Sequence, residues 1–199
     1  MHLLHLTLSP SNHINSSICV TTNSKSQIIV SASNSRLKFT SIIQGSQSTS
    51  SFPVFALIRA ICPVRLPGSA FDYVAISSDS GKFAIIQLDD KNNTISPLNV
   101  GLESFGRSGA RKAVPGQYIA ADPKGRAVML SSIEGPKICY ILNRDADLKL
   151  VINSPLSVSG GITFCLVSVD VGYENPVFAT IELVETEKVF LYNLASRIL

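Results

Sequence analysis

Apolar residues along this chain fall in short runs separated by tight clusters of small or polar residues, and the runs come in pairs. One local pattern recurs four times: an apolar strand, a tight turn, a basic residue and a second apolar strand. The copies run from Ile28–Val30 to Phe39, Tyr73–Ile76 to Leu88, Tyr118–Ala120 to Ile133, and Phe178–Ile181 to Leu194. Their turns are Asn34-Ser35-Arg36, Ser80-Gly81-Lys82, Lys124-Gly125-Arg126 and Thr186-Glu187-Lys188. The residue before the basic one therefore falls at 35, 81, 125 and 187, at spacings of 46, 44 and 62. In Asp122-Pro123-Lys124-Gly125, Pro123 presets φ and Gly125 can take φ > 0 without steric cost, which suits a short hairpin with a bulge. Asp79-Ser80-Gly81 has the same character. The Ser/Gln/Gly/Thr run from Gly45 to Ser51 predicts a flexible loop tip. Asn153 to Gly161 predicts a Ser/Pro/Gly connection, and the long last spacing places an insertion there.

A period near 45, with about four strands per unit, matches the blade length of a β-propeller, in which each four-stranded sheet packs on its neighbours around an axis. Packing on both faces accounts for Phe83-Ala84-Ile85-Ile86 and Ala127-Val128-Met129-Leu130, which are continuously apolar instead of alternating. The expected fold is all-β, an incomplete propeller of about four WD-repeat-like blades. Regularly spaced short strands would also suit a β-sandwich, the alternative at this point.

Composition agrees. The chain has 199 residues, 45% hydrophobic and 16% charged, which excludes a disordered chain and more than two domains. Cys19, Cys62, Cys139 and Cys165 are far apart, with no C-x-x-C pair, so free buried thiols in a reducing compartment are expected. The apolar stretch between Met1 and Leu8 is too short for a signal-peptide core, and no apolar run is long enough to span a membrane. The net charge of +3 is uneven: Lys25, Arg36, Lys38, Arg59 and Arg65 precede the first acid, Asp72. Five charges over that length are thin beside a phosphate-binding patch.

Candidates for chemistry are few. His2, His5 and His13 have no carboxylate or cysteine near them in sequence, and as a strand Leu4, Leu6 and Leu8 would face one way with His5 and Thr7 the other. Gly106-Arg107-Ser108-Gly109 only superficially resembles a nucleophile elbow. Asp145 and Asp147 fall in a turn after the strand from Ile138 to Leu142, where general acid/base work would need a pocket that the sequence does not show. The densest positive cluster is Arg107, Arg111 and Lys112, which lacks the spacing of a nucleotide-binding loop and suits partner contacts better. No metal site or cofactor is expected, and no enzyme.

Three stretches carry a family resemblance: Phe105-Gly106-Arg107-Ser108-Gly109, the run from Val114 to Met129 (VPGQYIAADPKGRAVM), and Tyr140-Ile141-Leu142-Asn143-Arg144-Asp145. With Asp72-Tyr73, Ser77-Ser78-Asp79-Ser80-Gly81 and Val169 to Ala179, they resemble the first β-propeller of the splicing factor 3B subunit 3 family. The wider superfamily includes the large subunits of the UV-damaged-DNA-binding complex and of the cleavage and polyadenylation specificity factor. The resemblance implies a nuclear, noncatalytic protein-interaction scaffold for pre-mRNA splicing, in the splicing factor 3b complex of the branch-site-recognising ribonucleoprotein. It implies other subunits of that complex and spliceosomal proteins as partners, RNA contact that is indirect, and neither a membrane nor a small-molecule substrate. Direct nucleic-acid binding of the damaged-DNA or polyadenylation type is the alternative. Family members are several times longer and their propellers have about seven blades. Residues 1–199 are therefore expected to be part of one propeller, without an internal domain boundary and with an exposed apolar blade face.

Overall fold

The computed structural model describes residues 13–23, 26–43, 46–91, 94–104, 116–147, 149–158, 160–169, 172, 174–183 and 187–193. Among them are 16 strands and no helix, gathered into four antiparallel sheets. Blade 1 is β1 (Ser16–Thr21), β2 (Gln27–Ser33), β3 (Arg36–Ile43) and β4 (Ser46–Pro53). Blade 2 is β5 (Ile58–Val64), β6 (Tyr73–Ser78), β7 (Lys82–Lys91) and β8 (Thr94–Ser104). Blade 3 is β9 (Tyr118–Ala121), β10 (Ala127–Ser131) and β11 (Lys137–Arg144), with β12 (Leu150–Ile152) and β13 (Leu156–Val158) both on β11. Blade 4 is β14 (Ile162–Val169), β15 (Val177–Leu183) and β16 (Glu187–Asn193). Each sheet is a meander in sequence order, and the first strands β1, β5, β9 and β14 lie side by side in that order. Four sheets stacked through both faces are an incomplete propeller and not the two-layer sandwich.

The continuously apolar strands are explained residue by residue. Along β6, Val74 and Ile76 enter the core between blades 1 and 2, while Tyr73 and Ala75 enter the core between blades 2 and 3. Along β10, Val128 and Leu130 face blade 2, and Ala127 and Met129 join Leu166 and Phe178 against blade 4. A strand covered on both sides has no polar phase. Phe83 of β7 stacks on Tyr140 of β11, with ring centroids 5.1 Å apart. Blade 4 covers one face only: Ile162, Val167, Ile181 and Leu183 are exposed, so the expected apolar blade face is present.

Three expectations are corrected. First, the repeats at 35, 81 and 187 are hairpins between the second and third strands of their blades, whereas Lys124-Gly125-Arg126 joins the first and second strands of blade 3. The residue equivalent to Arg36 and Lys82 is Lys137, which opens β11 after a turn containing Pro136. Spacings from Arg36 through Lys82 and Lys137 to Lys188 are then 46, 55 and 51, and the added length falls in the β8–β9 connection instead of near 153–161. Second, Asn153 to Gly161 is no insertion, because β12 pairs with Leu142–Arg144 and β13 with Lys137–Cys139 as one interrupted outer edge. Third, Ser46 to Ser51 is strand, paired in register with β3. An outermost strand needs few apolar residues, and here Phe52 anchors it, 5.5 Å from the Phe39 ring.

Candidate interaction surface

The meander puts the turns on two rims. One rim carries the turns between the first and second strands of each blade, and there the blades are stitched by arginine–aspartate forks. Arg65 Nε and Nη2 donate to the two carboxylate oxygens of Asp72 at 2.7 and 3.0 Å, and Asp72 Oδ2 also accepts the Thr21 N–H of blade 1 at 2.8 Å. The Asp72 carboxylate raises the Arg65 pKa further above its ordinary value. Arg126 forks onto Asp122 at 2.8 and 3.0 Å, and its Nη1 donates to the Glu174 carbonyl of blade 4. Gly125, at φ +69°, is where blade 3 meets blade 2, and a Cβ there would stand 1.9 Å from the Arg65 carbonyl oxygen. The Asp122–Arg126 hairpin predicted from sequence thus exists and doubles as an inter-blade contact.

The opposite rim carries the turns between second and third strands and the connections from blade to blade. Ser77 Oγ donates to the Gly116 carbonyl at 2.8 Å, and Ser131 Oγ meets Thr163 Oγ1 at 3.1 Å, so successive blades are joined by buried hydroxyls. Below that rim, Lys137 Nζ lies 2.7 Å from Glu182 Oε1 with both side chains buried. Glu182 Oε2 accepts the Gly161 N–H at 3.0 Å, and Thr180 Oγ1 donates to Oε1. The sequence reading missed this pair although strand periodicity offered it, since Thr180 and Glu182 share the face of Phe178.

Arg107, Arg111 and Lys112 fall in sequence between Ser104 of β8 and Gly116 and lie outside the described residues. His2 and His5 are likewise outside. His13 is exposed and borders a polar cavity of about 380 Å³ formed with Ile14, Asn15, Asn34, Leu57, Ile58, Arg59 and Gln117. Asp145 shapes its turn by accepting the N–H groups of Asp147 and Lys149 at 3.0 and 2.8 Å, while Asp147 is well exposed and 3.8 Å from Lys149 Nζ.

The four thiols are free, but the expectation that all are buried holds only for Cys62 and Cys139, because Cys19 is exposed and Cys165 half-buried. Burial pushes the Cys62 and Cys139 thiols up to about 12, and burial together with Glu103 does the same to the Tyr140 phenol. These groups stay protonated and unreactive. Among the described residues no helix is long and apolar enough to cross a membrane.

Comparison with known proteins agrees with this architecture. A family model of the RSE1/DDB1/CPSF1 first β-propeller matches residues 13–197. Pre-mRNA-splicing factor rse1 of Neurospora crassa is 42% identical over 193 residues, 94% of this chain and 16% of that protein. The probable splicing factor 3B subunit 3 of Dictyostelium discoideum is 47% identical over 137 residues, and splicing factor 3B subunit 3 of Drosophila melanogaster is 44% identical over 132, covering 68% and 65% of this chain. The chain spans 11% of each of those two relatives. With its blades and inter-blade contacts in place among the described residues, this chain belongs to the RSE1/DDB1/CPSF1 first β-propeller family.

Proposed function

We propose that this chain serves as a noncatalytic protein-interaction scaffold in nuclear pre-mRNA splicing, as one propeller segment working with splicing factor 3b subunits and other spliceosomal proteins. The observation that carries this reading is identity above 40% to named splicing factors over most of the chain. Residues 1–199 act as one domain segment, and partners are met by rim loops, among them the basic stretch holding Arg107, Arg111 and Lys112. A rigid stack of blades suits that role, since loops on a fixed scaffold can be specialised without altering the core. No nucleophile, metal set or cofactor takes part, and RNA is reached through partners. Damaged-DNA-type nucleic-acid binding is not favoured, since the relatives named above are splicing factors and the five basic residues spread over residues 1–71, in a chain without tryptophan, offer neither a clustered phosphate patch nor an indole platform.

Immunoprecipitation of the endogenous protein, with mass spectrometry of what accompanies it, tests the reading. Splicing factor subunits should co-purify, and exchanging Arg107, Arg111 and Lys112 for Glu should remove at least one of them. Recovery without splicing partners overturns the scaffold role, and retention of every partner by the charge-reversed variant overturns the part given to the loop.

A further inference from the structure

Three arginines lie in or beside β5 and the two turns that stitch the blades, and they are not equivalent. Arg65 and Arg126 each fork onto an aspartate. Arg59 does not: its Nη2 is 3.6 Å from Asp79, beyond hydrogen-bond length, and its buried Nε has no hydrogen-bond partner. Its position is built. The β5–β6 register skips Arg59, pairing Ile58 with Ser78 and Ala60 with Ser77, so Arg59 is the extra residue of a β-bulge. Ile58 before it is held on both sides, donating its N–H to the Asn34 carbonyl at 2.8 Å and accepting Asn15 Nδ2 at 3.1 Å. A bulge re-aims a side chain, and here it gives Arg59 to the wall of the polar cavity on the second rim. Across that cavity Gln117 keeps a buried Oε1 that accepts nothing.

We propose that this cavity is a docking site for an acidic, extended segment of a protein partner, with a carboxylate on the Arg59 guanidinium and a main-chain N–H on Gln117. The proposal rests on the scaffold reading and deepens it by naming the partner's chemistry. A guanidinium with open donors is suited to a carboxylate, with which it forms paired charge-assisted hydrogen bonds. A peptide also offers an N–H donor close to its acid, which is what Gln117 lacks, whereas a phosphodiester brings acceptors only. Charge points the same way: the cavity lining holds a guanidinium and no carboxylate, and residues 1–71, which supply all of that lining but Gln117, contain no acid. The Asp79 carboxylate, 3.6 Å from Arg59 Nη2, is the loose partner that a ligand carboxylate would replace.

The test is fluorescence anisotropy of the whole chain with a labelled Glu-Asp-Gly repeat peptide, compared with the same peptide carrying Lys at the acidic positions and with labelled oligouridine. The acidic peptide should bind saturably and the basic one should not. Arg59→Gln should weaken binding roughly tenfold or more, and Arg59→Lys, which keeps charge without the fork, should weaken it less. Thermal melts of each variant report whether the fold is kept; if Arg59→Gln does not fold, the Lys variant and the two wild-type peptide titrations decide. Equal binding of acidic and basic peptides, unchanged affinity in a folded Arg59→Gln chain, or tighter Arg59-dependent binding of oligouridine each overturns the proposal. Co-purification of splicing subunits is read separately, so a pocket that binds acid in a protein with no splicing partners would sink the scaffold reading alone.

Discussion

At the scale of single residues, the inter-blade cores bury three ionisable groups that must stay neutral. Cys62, Cys139 and Tyr140 sit where their charged forms would be desolvated, and each titrates near 12 in the folded chain against ordinary values of about 8.5 for thiols and about 10 for tyrosine. A raised folded-state pKa means that the folded chain keeps protons the unfolded chain gives up. The associated stability is fully present below about pH 8.5 and is lost as pH rises toward 12. The midpoint of urea unfolding should therefore fall steadily between pH 9 and pH 11. In a Cys62→Ala, Cys139→Ala chain the starting stability drops but the pH slope becomes shallower. An unchanged slope would place the alkaline sensitivity elsewhere. Tyr140 adds a second consequence, because its hydroxyl is buried without a partner; removing it leaves the Phe83 stack intact and relieves an unsatisfied group.

At the scale of elements, turns do two jobs, and only one of them is written locally. The hairpin Asp122-Pro123-Lys124-Gly125-Arg126 was legible because proline, glycine and aspartate each have a mechanical role in such a turn. Its packing on blade 2 was not, since the Arg65 carbonyl is remote in sequence. Gly125→Ala combines a φ of +69° with a Cβ placed 1.9 Å from that carbonyl oxygen, so the substitution must both strain the turn and push two blades apart. A loss of at least about 2 kcal/mol is expected in chemical denaturation, whereas Lys124→Ala at the neighbouring turn position serves as a mild control. A Gly125→Ala chain as stable as the parent would mean that blades 2 and 3 do not meet through this turn. The same turn explains the misplaced third repeat: its strong local signal outcompeted Glu134-Gly135-Pro136-Lys137, which is the true counterpart of the Asn34 and Gly81 turns. Strand β4 was misread for the opposite reason, because an outer strand is held by its backbone ladder and a single Phe52, leaving its serines to look like a loop. Of the proposed docking cavity, the sequence offered Arg59 only as one charge among five; the bulge that aims it depends on pairing with β6, which no local pattern encodes.

At the scale of the whole molecule, apolar faces hold the blades together, and polar contacts fix which blade meets which and at what height. The Lys137–Glu182 pair is the clearest case, since β11 and β15 belong to different blades and both side chains are buried. Gly160 is part of the same device: a Cβ there would come within 2.1 Å of Lys137 Nζ and 2.7 Å of Glu182 Oε2. Two desolvated charges contribute little net stability when paired, yet leaving one of them alone is expensive. Glu182→Ala should accordingly destabilise the chain by about 3–5 kcal/mol, while the double change Lys137→Met, Glu182→Leu should recover most of that loss. The location of the damage is as informative as its size. In Glu182→Ala, amide hydrogen exchange should rise in β14 and β15 and leave β2, β3, β6 and β7 nearly unchanged, because the first two blades share their own core and none of their contacts pass through this pair. Exchange that rises equally in all four blades would mean that they open as one cooperative unit, and that the ion pair sets overall stability instead of the seating of blade 4.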